Sequence, residues 1–156
     1  MRALTTNQQL ITELERSRGQ VLRAIDGLTN EQLSIPGIEG WSVRDHLLHL
    51  TIWDEMRFFE ISRIARGGRA GFPNDFSETD VDWLNDRTVE MRRRLSLPQI
   101  LADLAYARDM VLQAVAICPD ERIDDSLYEG IGLGGAAEHD RAHAETIRSW
   151  RKKERM

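Results

Sequence analysis

Apolar positions recur at helical spacing from near the start of this chain to near its end. Ile11, Leu14, Val21, Leu22 and Ile25 predict a first helix over about Thr6 to Asp26, stopped by Gly27. Arg16, Arg18 and Gly19 interrupt the middle of that stripe, which is expected to be narrow there. Thr29 opens a short helical turn that ends before Pro36-Gly37, and the segment SIPGIEG is the first clear break. A second helix begins at Ser42, whose hydroxyl stands three residues before the Asp45 carboxylate in the capping-box pattern. It runs to about Arg66, where Gly67-Gly68 end it. Val43, Leu47 and Leu50 form one stripe and His46, His49, Trp53 and Met56 form another beside it, so this helix is expected to pack on two sides.

The run GGRAGFPNDFSET, from Gly67 to Thr79, reads as the longest loop, and loops of that length in compact domains are often functional. A third helix is expected from near Thr79 or Asp80, carrying Val81, Leu84, Val89 and Met91. After a break at Leu95-Ser96-Leu97-Pro98, Ser96 caps a fourth helix with Pro98 in its first turn, where proline is tolerated. Leu101, Leu104, Ala105, Val111, Leu112 and Val115 lie on one side of it, and it ends at Cys118-Pro119. Asp120 to Gly135, rich in glycine, reads as a connector to a final helix that holds Glu138 to Trp150. No stretch shows the alternation of a half-buried strand. The fold class is all-α, most simply a four-helix bundle with short accessory helices, and 156 residues suit a single domain over the whole chain.

Composition narrows the function classes. A hydrophobic content of 41% and a charged content of 30% are ordinary for a globular protein. The net charge of −5 argues against nucleic acid as a partner; the run Arg92-Arg93-Arg94 reads as a solvated helix face. No apolar run reaches transmembrane length and MRALTTNQQL lacks a signal-peptide core, so no membrane partner and a cytoplasmic location are expected. A single cysteine, Cys118, excludes an intramolecular disulfide and a cysteine-based zinc site. Its place before Pro119 reads as a small buried hydrophobe rather than a nucleophile.

The candidate chemistry lies in EHDRAHAETIRSW. His139 and His143 are four residues apart, which puts them on one helix face one turn apart. Ala136, Ile147 and Trp150 continue that face, so the imidazoles share the face expected to be buried. Two such histidines hold a metal ion if a facing helix gives a third ligand, and the second helix offers His46 and His49. Three neutral imidazoles at ~2.0–2.1 Å with an open position are the arrangement of catalytic zinc, and nickel or iron also accepts it. A metal so held lowers the pKa of bound water or thiol. The competing reading is of core histidines satisfied by hydrogen bonds, and spacing alone leaves both open.

The run from Gly40 to Trp53, GWSVRDHLLHLTIW, resembles the signature of the DinB/YfiT-like superfamily, in which Trp-Ser-Val leads into a helix with a ligand histidine in a His-Leu pair. HDRAHAETIRSW resembles its partner motif, and Asn85 stands where many members carry an asparagine after the long loop. The approach GLGGAAEHD departs from the bulkier, more aromatic one of relatives, which bears on the pocket wall. The resemblance implies a four-helix bundle, often a homodimer, with a metal on His49, His139 and His143; His46 has no counterpart. It implies a small-molecule substrate. Known activities are transfers and isomerisations using a low-molecular-weight thiol such as mycothiol or bacillithiol, metal-dependent hydrolysis, and protection against a genotoxin by opening its reactive ring.

Two functions follow. In the first, a metal on the three histidines activates water or a thiol to attack an electrophilic small molecule. Arg44, Arg57, Arg63, Arg87 and Arg141 are then available for a carboxylate of the thiol. Asp45 and Glu138 are candidates to orient an imidazole, set against their plain role as carboxylates at helix N-termini. Asp54 or Glu55 is a candidate base, with at least one of the two expected at the surface. In the second function, a dimeric module binds or sequesters a partner, with a structural metal or none.

Overall fold

Local hydrogen-bonding chemistry sets where the helices begin. The computed structural model describes residues 6–68, 76–122 and 133–156. Among these, six α-helices are present: α1 (Asn7–Ile25), α2 (Asn30–Leu33), α3 (Val43–Ala65), α4 (Glu78–Arg92), α5 (Leu97–Ile117) and α6 (Leu133–Glu154), with a 3-10 turn at Asp120–Arg122. Helices α1 to α5 each open on a capping box: Thr6 with Gln9, Thr29 with Gln32, Ser42 with Asp45, Ser77 with Asp80, and Ser96 with Gln99. In each, the hydroxyl accepts from an otherwise unpaired amide and the N3 side chain accepts from the cap's own N–H. No described residue forms a strand, and the architecture is all-α. No described helix is long and apolar enough to cross a membrane.

Two boundaries differ from the sequence expectation. Helix α4 starts at Glu78 rather than Thr79 or Asp80, because Ser77 and Asp80 repeat the spacing that caps α3. Helix α6 starts at Leu133, so Gly134 and Gly135 belong to its first turn rather than to the connector. Residues 123–132 of that connector, and 69–75 of the long loop, lie outside the described residues.

Packing divides the bundle into two tight pairs. Helix α3 packs chiefly on α5 and α1 chiefly on α6, while α3 and α6 meet along a lighter seam. The apolar interior falls into two cores along the bundle axis. One gathers Leu10, Leu14, Ile61, Val111, Val115 and Ala136, the other Val21, Val43, Leu47, Leu50, Leu104, Ala144, Ile147 and Trp150. Each fully buried large side chain contributes about 1.5–3 kcal/mol. Between the cores the buried positions are charged: Arg18, Asp54, Arg57, Arg108 and Asp140. Ala105, expected on the buried side of its helix, is exposed, and Ala107 and Arg108 take that side instead. Cys118 is buried, and burial raises its thiol pKa, so it stays protonated as a small hydrophobe.

The SIPGIEG break turns on two residues. Ile38 and Trp41 exchange backbone hydrogen bonds of 3.0 and 2.9 Å around Glu39 (φ 52°) and Gly40 (φ 89°). Positive φ at both central positions is the hairpin turn that needs a glycine. Upstream, Gly37 lies against the buried indole of Trp150, where an added Cβ would meet Nε1 at 2.5 Å. Gly37→Ala is therefore expected to lower stability by about 1–3 kcal/mol through overpacking. Thermal melting checks it; an unchanged midpoint would show that the indole yields freely.

Candidate metal centre

The two histidine pairs face each other across the light seam between α3 and α6. His49 Nε2 stands 2.8 Å from His139 Nε2, and His143 Nε2 stands 3.0 Å from the same atom. The ring nitrogens of His49, His139 and His143 thus all lie within 4.8 Å of one another, a cluster able to hold a metal ion. Nitrogens bound ~2.0–2.1 Å from one ion stand roughly 2.9–3.4 Å apart at angles between octahedral and tetrahedral; the two separations from His139 lie near that range. Hydrogen bonding alone serves this triangle poorly. An imidazole nitrogen carries one proton or one lone pair, so His139 Nε2 can pair fully with only one of its two neighbours. A cation accepts all three lone pairs at once, and the residues fit a metal.

His46 does not join the triangle. Its Nδ1 lies 2.7 Å from Nδ1 of His143. With the His143 Nε2 lone pair turned to the centre, its Nδ1–H donates to His46, a role a carboxylate or carbonyl usually plays. Its placement one turn before His49 already points to a neighbour of the centre held by packing or a hydrogen bond, and the contact with His143 is such a bond. His46→Ala is expected to retain about one metal per chain under saturating metal but to weaken affinity by ~10-fold. Chelator competition checks this, and unchanged affinity would show that the contact does not orient His143. Nδ1 of His139 and Nε2 of His46 are buried with no hydrogen-bond partner among the described residues.

Burial keeps all four imidazoles neutral. It lowers the pKa of His46 and His143 to about 4 and that of His49 to about 3; the neighbouring His143 lowers His46 and His49 further. His139 is lowered most, by burial and then by the Arg57 guanidinium. Protons therefore do not compete for the ring nitrogens at neutral pH. The same shifts set the acid stability of the metal-free protein. Each folded pKa lies below the ordinary 6.5, so the contribution is complete above pH 6.5 and is lost as pH falls through about 4 and then 3. The loss is on the order of 3 kcal/mol for an imidazole charged alone. Urea midpoints of metal-free protein between pH 7 and 4 check it, and a flat profile contradicts it.

Aromatic rings frame the centre. Trp41 packs on His46 and His49 at 5.4 and 5.2 Å between centroids, and Trp53 lies 6.2 Å from His49 and His139. The Trp53 indole N–H donates to Asn85 Oδ1 at 2.9 Å, which ties α4 to the site. A cleft of about 540 Å³ opens beside the centre, lined by His46, His49, His143, Trp41, Ile38, Asn85 and Thr146, with Glu39, Asp82 and Asp86 also on its wall.

Several expected partners are placed elsewhere. Asp45 pairs with Arg93 and caps α3, acting on His46 only through its charge, which raises that pKa against burial, and Glu138 pairs with Arg141. Glu55 forms a two-pronged pair with Arg92, so the Arg92–Arg94 run is not simply solvated. Asp54 is fully buried among Arg18, Arg57 and Arg108, which makes it a charge partner rather than a base. The five candidate arginines are engaged too. Arg44 bonds Asn30 and the Leu95 carbonyl, Arg57 bonds Asp54, Arg63 meets Glu60, Arg87 meets Glu90, and Arg141 meets Glu13 and Glu138. None of the five lines the cleft.

The sequence carries a matching family signal. The family model of the DinB superfamily matches residues 13–147, which takes in most of α1, all of α2 to α5 and the histidine pair of α6. The chain belongs to the DinB superfamily. A DinB-superfamily bundle with a three-histidine cluster fits a metal-binding protein. The fold is also that of an uncharacterised protein from Escherichia coli UTI89, with a TM-score of 0.78 over 97% of this chain and 95% of that one. The two are 16% identical, and the likeness is one of fold alone. No curated protein matches the chain.

Proposed function

We propose that this DinB-superfamily protein is a metal-dependent enzyme in which His49, His139 and His143 hold one divalent ion, zinc, nickel or iron. The observation that carries the reading is the convergence of three Nε2 atoms, with two of the three rings lining an open cleft. A metal bound there supplies a Lewis acid and lowers the pKa of a bound water or thiol, giving a nucleophile at neutral pH. The protein's own groups do the rest. The three imidazoles would hold the ion beside the cleft, and His46 would hold His143 in the tautomer that presents Nε2. Trp41 and Trp53 exclude water from the ligand side, and Asn85 faces the cleft as a polar anchor.

The cleft's chemistry favours one nucleophile and one substrate class. Glu39, Asp82 and Asp86 line it, and no described arginine or lysine does. A carboxylate-bearing thiol therefore finds no arginine or lysine to pair with among the described residues of the lining, and water is the better-supported nucleophile. A neutral or cationic electrophile, such as an ester, amide or strained ring, fits this lining. A low-molecular-weight thiol transfer is the variant of the same chemistry. The proposal includes a cytoplasmic homodimer, for which the exposed Phe59 and Tyr106 offer apolar surface to a second copy; sedimentation equilibrium tests the dimer.

The functional test is turnover of cationic, neutral and anionic activated esters, amides and epoxides by metal-loaded protein, with and without added thiol. Metal-dependent turnover that falls in His49→Ala and is slowest on anions is expected. Metal binding without turnover on any member would move the protein to a binding or sequestering role.

A further inference from the structure

The charged layer between the two apolar cores takes a residue from each of the four long helices. Arg18 of α1, Asp54 and Arg57 of α3, Arg108 of α5 and Asp140 of α6 are all buried, with Ser17 of α1 beside them. Arg18 Nη2 reaches Asp54 Oδ2 and Asp140 Oδ1, both at 3.0 Å. Arg108 also spans the two acids, with Nε 2.8 Å from Asp54 Oδ2 and Nη2 3.1 Å from Asp140 Oδ2. Ser17 donates to Asp140 Oδ2 at 2.9 Å. Both acids sit on the helices that carry the ligand histidines. Asp140 directly follows His139, and Asp54 lies five residues after His49.

We propose that this layer positions the metal centre: two guanidinium bridges from Asp54 to Asp140 lock α6 against α3 in the register that brings His139 and His143 to His49. The proposal rests on the three-histidine metal reading. Direct packing cannot set that register, because α3 and α6 meet only lightly and each is fastened to a different partner, α5 or α1. Apolar contacts across such a seam tolerate sliding; a planar guanidinium bonded to two carboxylates does not, since its donors form a fixed fork. Tolerance at the centre is small. A slip of one residue moves a helix ~1.5 Å along its axis and turns it ~100°, which would carry His139 off the cluster. Burying five charges is also a poor route to stability alone, because apolar side chains of similar volume commonly serve as well. Fixing a unique register is the use best suited to such a layer.

The test is zinc affinity by chelator competition at low temperature, on wild type, Asp140→Asn, Ser17→Ala, Arg108→Lys and Ile100→Ala, with urea unfolding of each. Ile100 is a buried core residue outside the layer, so its variant loses stability without touching the bridges. The proposal expects Asp140→Asn to bind zinc ~10–100-fold more weakly. Ser17→Ala, which keeps every charge, should weaken binding about threefold, a part of the worth of one hydrogen bond to a charged carboxylate. Arg108→Lys, which keeps the charge and loses the fork, should weaken it by ~10-fold or more. Ile100→Ala should bind within about twofold of wild type while folded. Wild-type affinity in a folded Asp140→Asn overturns the proposal; if that variant does not fold, wild-type affinity in both Ser17→Ala and Arg108→Lys overturns it. Equal weakening in Ile100→Ala also overturns it, because stability alone would then explain the effect. A wild type that binds no zinc, nickel or iron sinks the metal reading itself and this proposal with it.

Discussion

Asp54→Asn is expected to cost about 3–5 kcal/mol, a large share of the ~5–15 kcal/mol that holds a domain of this kind folded. Asp54 has no exposed surface and faces three guanidiniums: Arg108 at 2.8 Å, Arg18 at 3.0 Å and Arg57 at 3.2 Å. Asparagine keeps the shape and removes the charge, leaving three buried cations to share Asp140. Arg18 and Arg108 form ion pairs with Asp140 as well, whereas the ion pair of Arg57 among the described residues is with Asp54, and Asp140 acts on it only through its charge. The sign of the pH dependence follows. Burial alone would raise the Asp54 carboxyl; Arg108, Arg18 and Arg57 outweigh it and hold the pKa below the ordinary value. Its contribution is therefore present above the unfolded carboxylate pKa of ~3.9 and disappears as pH falls through the depressed folded value. Urea unfolding at pH 7 should show the full gap between wild type and variant, and the gap should narrow in strong acid. A variant within ~1 kcal/mol of wild type at pH 7 would show that the arginines find other partners.

The double variant His139→Ala/His143→Ala should lose the whole stabilising effect of metal. A ligand bound only by the folded state, at 100 to 1,000 times its dissociation constant, adds ~2.7–4.1 kcal/mol. In a chain of this length each kcal/mol moves the melting midpoint by ~2–4 °C, so saturating zinc should raise the wild-type midpoint by roughly 5–15 °C. The double variant should not respond. Without metal the order changes with pH. His143 is held neutral at a pKa of about 4, and His139 lower still, so protonation of both opposes folding in acid. The metal-free double variant should therefore resist acid better than metal-free wild type below pH 6, even if it is weaker at pH 7. Equal responses to zinc in both proteins would place the binding elsewhere.

The fold was legible because its determinants are local. The 3.6-residue spacing located every long helix, and the Ser42–Asp45 and Ser96 caps marked two starts correctly. The misplaced starts of α4 and α6 came from overlooking Ser77 as a cap and from treating Gly134 and Gly135 as breakers. The paired spacing of His139 and His143 was equally local, and the structure brings both to His49. The ionic layer was not legible. Arg18 looks like an interruption on its own helix, because its partners lie 36 and 122 residues away and only the packed bundle brings them together. Arg108 was passed over for the same reason, since its stripe was read from apolar residues alone. The carboxylates near the histidines misled in the opposite direction. Asp45 and Glu138 are sequence neighbours of His46 and His139, yet nearby arginines claim them first.

Metal content and X-ray absorption on chelator-free protein test the three-histidine centre most directly. About one transition-metal ion per chain, with three imidazole nitrogens at ~2.0–2.1 Å and a light exchangeable ligand from solvent, is the predicted result. No bound ion after loading with zinc, nickel or iron, or a closed shell of four protein ligands that includes His46, would contradict it.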